Sequence, residues 1–465
     1  MNSSQITRRS LAAALGAPLV PAAAETHPNV LLLHCHDLGQ HLHCYGVDGV
    51  NSPHLDQLAA EGVLFENHFC SAPQCSPSRA SIFTGRYPHS NGVMGLTHAD
   101  FAWDLHEGER HLGQILGDAG YATACVGVIH ETRLGAKRCG FESYVNASMA
   151  VPMADAAIAR MKEFAKSPGK PFYLQAGCIE PHRLPRRDRD ADQDFLGVNL
   201  QPDTSRGVTV PPYLKDTPGT RAELAELQGA VRHMDAQMGR VITAVRELGL
   251  EKNTLVIFTT DHGIAMPRSK CSVYEPGLRT AFILRYPGRN GWHGGVRHKH
   301  LVSNIDCVPT VLDLAGVAVP AAVQGRSLAP LLNGQLYTAR DRIFGEITYH
   351  DYYDPRRSIR TATHKLIVNF SSAPAFMDPS QSWRPRADTI VPANHALAYH
   401  APYELYDLTR DPWEQHDLSR DAASASVLNQ LRLQLVEHMR ATGDPILKGA
   451  VTGPLHQRSQ AWLLG

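Results

Sequence analysis

Five consecutive residues, Cys75-Ser76-Pro77-Ser78-Arg79, concentrate reactive chemistry. Proline suits the first turn of a helix, where its missing N–H is not needed, so Pro77 predicts that a helix begins here. Cys75 then sits at the helix N-terminus, where unpaired N–H groups and the helix dipole favour an anion. Arg79 follows four residues later on the same side, so its guanidinium can reach whatever group position 75 carries. A nucleophile, or the anion it forms, held between a helix terminus and an arginine is the chemistry this spacing offers. A buried cysteine ahead of an ordinary helix is the plainer alternative, and a bare C-x-x-x-R does not exclude it.

Further polar residues fall where apolar runs end. Val30–Leu33 leads into His36-Asp37, Tyr121–Val128 into His130, Phe172–Gly177 into Glu180-Pro181-His182, and Thr254–Thr260 into Asp261-His262-Gly263. Short apolar runs of this kind read as buried strands. Helical stretches lie between them, at His54–Glu61, His111–Ala119, Ala222–Leu248 and Val308–Ala315. The alternation predicts an α/β fold with a large, mostly parallel central sheet flanked by helices. Ligands of such sheets bind beyond the carboxyl ends of the strands, which is where these acidic and imidazole side chains fall. They could hold a metal ion or move protons.

After about Asn333 the pattern shortens. Strand-like pieces at Ile343–Thr348, Leu366–Phe370 and Glu404–Leu408 precede a helix around Ala425–Arg440, which predicts a smaller C-terminal α+β subdomain. The expected division is an export signal over residues 1–24, a catalytic domain over 25–336 and the subdomain over 337–465. The Pro-rich stretch Phe376–His400 lacks periodicity and reads as a long loop. At the N-terminus, Arg8-Arg9, an apolar Leu11–Val20 and Ala22-Ala23-Ala24 make up the export signal. Its Thr7-Arg8-Arg9-Ser10-Leu11 core resembles a twin-arginine signal, so the mature protein is expected to be periplasmic or secreted.

Composition removes other classes. Of 465 residues, 43% are hydrophobic and 19% charged, enough for a large core and too apolar for a disordered chain. Lys+Arg and Asp+Glu both number 45, so no overall field draws in nucleic acid or an anionic membrane. No stretch beyond the signal reaches the roughly 18 apolar residues of a membrane span. Nine cysteines without a C-x-x-C pair fit neither a zinc ribbon nor a dense disulfide framework.

The C-S-P-S-R run followed by Thr84-Gly85-Arg86 resembles the signature of type I, formylglycine-dependent sulfatases of the alkaline phosphatase superfamily. The resemblance extends over nearly all of the mature chain. Asn29–Gly39 is similar to the first strand and metal loop, Ala119–His130 to a basic element, and Thr259–Gly263 to the second metal pair. Lys270–Arg279 resembles a loop with a sulfate-binding lysine. Ile305–Thr310 and Gly325–Leu328 resemble the end of the main domain, and Glu404–Leu408 with Asp411-Pro412 the C-terminal subdomain.

That resemblance implies that a formylglycine-generating enzyme converts Cys75 to formylglycine, and that one hydroxyl of the hydrated aldehyde attacks sulfur. The second hydroxyl lets the sulfated residue collapse and expel sulfate. It implies one divalent metal ion, Ca2+ first and Mn2+ or Mg2+ as alternatives, held by Asp37, Asp261, His262 and position 75, with His36 where the family has a carboxylate. His36 could ligate, hydrogen-bond Asp37, or mark a softer ion than calcium. Arg79, His130, His182 and Lys270 match the basic catalytic positions: His130 would contact the formylglycine, and His182 and Lys270 would hold sulfate and assist the leaving group. A second lysine expected before His130 is replaced by Val128, and Lys137 or Arg183 are candidates to supply the charge. His34, His41 and His43 receive no role.

The implied activity is hydrolysis of a sulfate ester or sulfamate on a small molecule or oligosaccharide, most naturally a sulfated carbohydrate. Two other functions stay open. Phosphonate monoester or phosphodiester hydrolases share the fold and the cysteine motif, and a non-catalytic binder could lack parts of the site.

Overall fold

The computed structural model describes residues 27–186, 189–197, 199–372, 387 and 399–465. The signal expected over residues 1–24 lies outside them, as does nearly all of the loop expected over Phe376–His400.

Eight strands form the main sheet. They are β1 (Asn29–Cys35), β2 (Val63–Phe69), β3 (Ala122–Gly127), β4 (Ser143–Val145), β5 (Phe172–Gly177), β8 (Thr254–Thr260), β9 (Phe282–Arg285) and β10 (Val296–Ser303). A short ribbon of β6 (Leu184–Arg186) and β7 (Arg189–Asp194) stands apart. The sheet order is β10-β2-β9-β8-β1-β5-β3-β4, and only β9 runs antiparallel to its neighbours. β1 is central and buried at every position. Its alternate residues serve two cores, Leu31, Leu33 and Cys35 on one face and Val30 and Leu32 on the other. Burial on both faces is why the strand reads as a continuous apolar run rather than an alternating one.

The helices Pro53–Glu61, Ala150–Phe164 and Pro218–Glu247 cover the first face, and Cys75–Thr84, Leu112–Asp118 and Cys307–Leu314 the second. Cys75–Thr84 is buried along its whole length and ends on Gly85, whose φ of 70° closes the last turn with a bond to Ser81. The helix Ala150–Phe164, not anticipated above, has a long-range cap: both Glu180 carboxylate oxygens accept the Ala150 N–H, at 3.0 and 2.9 Å.

The C-terminal unit is a four-stranded antiparallel sheet, in the order β11 (Arg342–Tyr349), β12 (Tyr353–Thr361), β13 (His364–Asn369), β14 (Tyr403–Asp407). The helix Ala425–Thr442 packs Leu431, Leu435 and Met439 on one face, against Ile359, Leu366 and Leu405. The other face packs against the main domain through Ile343, Ile347, Ile367 and Tyr406. The sequence reading missed β12, whose Asp354, Arg356, Arg357 and Arg360 look like solvent-facing charge. All four are buried and paired. Arg357 binds Asp444 at 2.5 and 2.9 Å, Arg360 lies 3.4 Å from Glu275, and Arg356 is held by Asp354. Pairing is what allows a buried strand to carry four charges. A final helix, Pro454–Leu464, follows the one anticipated. Among the described residues no helix is long and apolar enough to cross a membrane.

Candidate active site and metal centre

Four adjacent strands, in the order β8-β1-β5-β3, end on one edge of the sheet and deliver the site. β1 passes directly into His36 and Asp37, and β8 into Asp261 and His262. Loops after β3 and β5 bring His130 and His182. Gly127 and Gly177 close the latter two strands. A Cβ on Gly127 would sit 1.9 Å from the Gly177 carbonyl, and one on Gly177 only 1.8 Å from the His34 ring. Only glycine lets the strand ends and His34 approach this closely.

Asp37 holds a left-handed backbone, φ 49°, which non-glycine residues adopt only when surroundings enforce it. Here its N–H donates to Asp261 Oδ1 at 3.0 Å, and the His262 N–H donates to the same oxygen at 2.9 Å. Asp261 Oδ2 is left for Arg79 and His36, each at 3.2 Å. The Cys75 sulfur lies 3.3 Å from His262 Nε2 and 4.0 Å from Asp37 Oδ1. His36, Asp37, Cys75 and Asp261 each offer one ligand atom within 4.8 Å of the others, all buried.

Two observations show that these residues fit a cation. His262 Nδ1 lies 3.0 Å from the Gly263 carbonyl, so that nitrogen carries the hydrogen and Nε2 carries the lone pair. The lone pair faces Asp37 Oδ1 at 3.3 Å, an arrangement that repels until a positive ion lies between them. A ligating histidine commonly donates its other N–H to a backbone carbonyl in this way. In addition, His36 Nδ1 faces Asp261 Oδ2 while its Nε2 has no hydrogen-bond partner although the ring is buried. An unsatisfied buried imidazole nitrogen is costly, and coordination would satisfy it. Burial pushes His36 below the ordinary histidine pKa, with Arg79 adding to the effect, and burial likewise depresses His262. Both therefore stay neutral, the form that binds metal.

Lys270 is buried with Nζ 2.7 Å from Asp37 Oδ2 and 3.1 Å from His182 Nε2. Burial alone would lower its pKa, but Asp37 and other nearby groups outweigh this and raise it above the usual lysine value. Burial pushes His182 the other way, to about 3, although Asp37 opposes the shift. His182 Nδ1 donates to the Arg183 carbonyl at 2.6 Å, so Nε2 accepts from Lys270. The pair is thus a charged ammonium and a neutral imidazole. Burial pushes the Cys75 thiol up to about 12, so an unmodified cysteine here is a neutral, unreactive thiol.

Arg79 is spent differently from the expectation. Its guanidinium bonds Asp261 Oδ2 at 3.2 Å, the Cys35 carbonyl at 3.2 Å and His34 Nδ1 at 2.7 Å. It braces the carboxylate and the end of β1, and its described contacts do not include Cys75. His34, given no role above, is therefore part of the support. The parity of β1 could have shown this, since His34 shares a face with Val30 and Leu32, the face that Cys75–Thr84 covers. His130 contacts His98, Thr97 and Glu131. Neither candidate replacement for the missing lysine enters the site: Lys137 is exposed, and Arg183 is committed to Glu223 and the Ala265 carbonyl. His41 is buried elsewhere and His43 lies beside Arg206. Across the centre two carboxylates and two cations cancel, so without a bound cation the side chains carry no net positive charge.

The sequence model of the family described as Sulfatase matches residues 28–317, and that described as N-sulphoglucosamine sulphohydrolase, C-terminal, matches residues 267–378. Human N-sulphoglucosamine sulphohydrolase is 30% identical over 460 residues, covering 90% of this chain and 91% of the human protein. A solved 2-O GAG sulfatase superposes with a TM-score of 0.69 at 22% identity, covering 92% of this chain and 95% of its own. A phosphonate monoester hydrolase from Silicibacter pomeroyi superposes with a TM-score of 0.66 at 20% identity, covering 89% and 96%. At such identities the two structures show the fold alone.

Proposed function

Because the chain belongs to the sulfatase family, we propose that it cleaves a sulfate ester or sulfamate from a sulfated carbohydrate, with Cys75 matured to formylglycine. The observation that carries the reading is the position of residue 75. It stands at a helix N-terminus, within ligand distance of Asp37, Asp261 and His262, beside a buried charged lysine. A carbon bearing two hydroxyls there would supply both the nucleophile and the route by which sulfate leaves. A divalent ion held by Asp37, Asp261 and His262, with His36 and residue 75, would lower the pKa of the attacking hydroxyl and screen the sulfate oxygens.

The chain's own residues then divide the work. Arg79 holds Asp261 in place, and the Asp37 and His262 N–H groups fix its orientation. Lys270 presents positive charge to a sulfate oxygen and is the proton donor of the Lys270–His182 pair, since His182 is neutral and accepts from it. The similarity to a sulphohydrolase acting on N-sulphoglucosamine makes a sulfated amino sugar the first substrate to assay. Side-by-side rates on N-sulfoglucosamine, an aryl sulfate and an aryl phosphonate test the reading. Turnover of the phosphonate in preference to both sulfates would transfer the protein to the phosphonate hydrolase class, and inactivity of metal-loaded, aldehyde-bearing protein on all three would favour a binder. We also propose export through Arg8 and Arg9, so that replacing both with lysine leaves the precursor in the cytoplasm. Unchanged export would reject that route.

His36 supplies a prediction about the ion. A neutral imidazole in place of a carboxylate removes one negative charge near the cation, worth about 4 kcal/mol at ~4 Å and an effective dielectric of 20 before water absorbs part of it. His36→Asp should therefore bind Ca2+ at least ~10-fold more tightly. Protons compete with metal for an imidazole, so affinity in the wild type falls as pH drops below the ordinary histidine range, and less steeply in His36→Asp, which keeps only His262. Calorimetric titrations at two pH values check both. Equal affinities with equal pH dependence would place His36 outside the coordination shell.

A further inference from the structure

His130 is held by a residue that neither the sequence reading nor the family resemblance singles out. His98 Nδ1 lies 2.9 Å from His130 Nε2, a hydrogen bond between two imidazoles, with ring centroids 5.1 Å apart. His98 is exposed, yet its segment is not loosely placed. The preceding residue donates from Thr97 Oγ1 to the His130 carbonyl at 3.1 Å. The Thr97 N–H reaches Ser76 Oγ at 3.3 Å, and the two hydroxyls lie 3.4 Å apart. Ser76 adjoins Cys75 on the same helix. Thr97-His98 therefore spans from the helix that carries residue 75 to both the backbone and the ring of His130. The Phe101 ring packs on His98, 5.4 Å between centroids and near-perpendicular. On the other side of His130, the backbone N–H donates to Glu131 Oε2 at 2.8 Å, and Glu131 Oε1 lies 3.3 Å from His111 Nε2. The His130 ring itself comes within 6.1 Å of His36, centroid to centroid.

An imidazole-to-imidazole hydrogen bond admits one proton between the two nitrogens, so the tautomer of one ring sets that of the other. Resting on the sulfatase reading, we propose that His98 is a positioning residue for His130: its Nδ1 accepts the His130 Nε2–H and so fixes the ring orientation and leaves the His130 Nδ1 lone pair for the reaction. In an exposed imidazole, protonation on Nε2, with Nδ1 as the acceptor, is the ordinary tautomer, so His98 takes this role without a strained protonation pattern. His130 Nδ1 makes no hydrogen bond among the described residues, so nothing else competes for that lone pair.

The substitutions that test this differ in where they place an acceptor. Asparagine can set its amide oxygen where His98 Nδ1 lies, glutamine carries its amide one methylene too far, and alanine has none. In the full-length mature enzyme, His98→Ala and His98→Gln should lower kcat by about 10- to 100-fold, as loss of a group orienting a functional histidine does, with KM nearly unchanged. His98→Asn should recover most of the loss, and thermal midpoints of all three should stay close to wild type because the side chain is exposed. A second readout does not depend on turnover. In protein labelled with 15N-histidine, the hydrogen-bonded Nε2–H signal of His130, assigned with His130→Gln, should vanish in His98→Ala and persist in His98→Asn. Wild-type kcat in His98→Ala, equal behaviour of the Asn and Gln variants, or an unchanged His130 signal in His98→Ala would each overturn the proposal. If wild type turns over no sulfate at all, the sulfatase reading fails and the His130 signal alone decides the role of His98.

Discussion

Cys75→Ala should abolish turnover, by on the order of 10⁴-fold or more, the scale on which removing a covalent nucleophile acts. The structure makes the prediction sharper than the motif does. Burial lifts the unmodified thiol to about 12, so a thiolate is not available near neutral pH. The sulfur is enclosed by Asp37 and His262, which would hold a cation against a hydroxyl there, and by the positive charge of Lys270. Cys75→Ser should accept one sulfate and stop, because a single hydroxyl can be sulfated but cannot collapse to an aldehyde. Mass analysis of the peptide carrying residue 75, after coexpression with the modifying enzyme, should find aldehyde in active protein. Active protein that contains only thiol there would eliminate the mechanism. Intact-mass detection of a sulfated Cys75→Ser species is the complementary observation.

Lys270→Met should lower kcat/KM by about 10²- to 10³-fold, the range found when one preorganised charge stabiliser is removed. The ammonium is 2% exposed and lies between Asp37 and His182, so no water reorganises in its place at low cost. The loss should depend on the leaving group. A sugar alcohol or amine needs a proton as it departs, whereas a nitrophenolate does not, so the sugar substrate should suffer more than the aryl sulfate. An equal loss on both would show that Lys270 contributes charge and transfers no proton. Divalent-ion affinity should survive, because Asp37 loses a competing cation while its carboxylate remains. Burial alone would raise the Asp37 pKa, but the charged Lys270 at 2.7 Å outweighs it and holds the carboxyl well below the usual range, the neighbouring imidazoles being neutral. Removing the lysine moves that pKa upward, so acid inactivation of metal binding in the variant should begin at higher pH than in wild type.

Most of the elements that carry the site were legible from local patterns. β5 and β8 begin and end where the apolar runs do, at Phe172–Gly177 and Thr254–Thr260, because a strand buried on both faces is mostly apolar until it reaches the sheet edge, the buried Gln175 of β5 being an exception. The start of the helix over Cys75–Thr84 followed from Pro77, which acts through the backbone within one turn. β12 was illegible for the opposite reason. Arg357 and Arg360 are neutralised by Asp444 and Glu275, which come from the distant C-terminal segment and from the main domain. No local periodicity reports partners so far away. The helix Ala150–Phe164 depends in the same way on Glu180, a cap supplied from beyond the following strand.

By itself the amino-acid sequence determined the α/β architecture, the edge of the sheet where chemistry is gathered, and the inventory of acids, bases and the cysteine at the start of the buried helix. These properties depend on burial periodicity and on backbone stereochemistry, which act over a few residues. Tertiary structure alone decided how the inventory is wired: Arg79 to Asp261 and His34, Lys270 between Asp37 and His182, and His98 on the ring of His130. Directional contacts of about 3 Å depend on the relative placement of β1, β3, β5 and β8 and their loops. That placement comes from packing the whole chain, so residues far apart in sequence become hydrogen-bond partners only once the sheet and its two layers of helices have assembled.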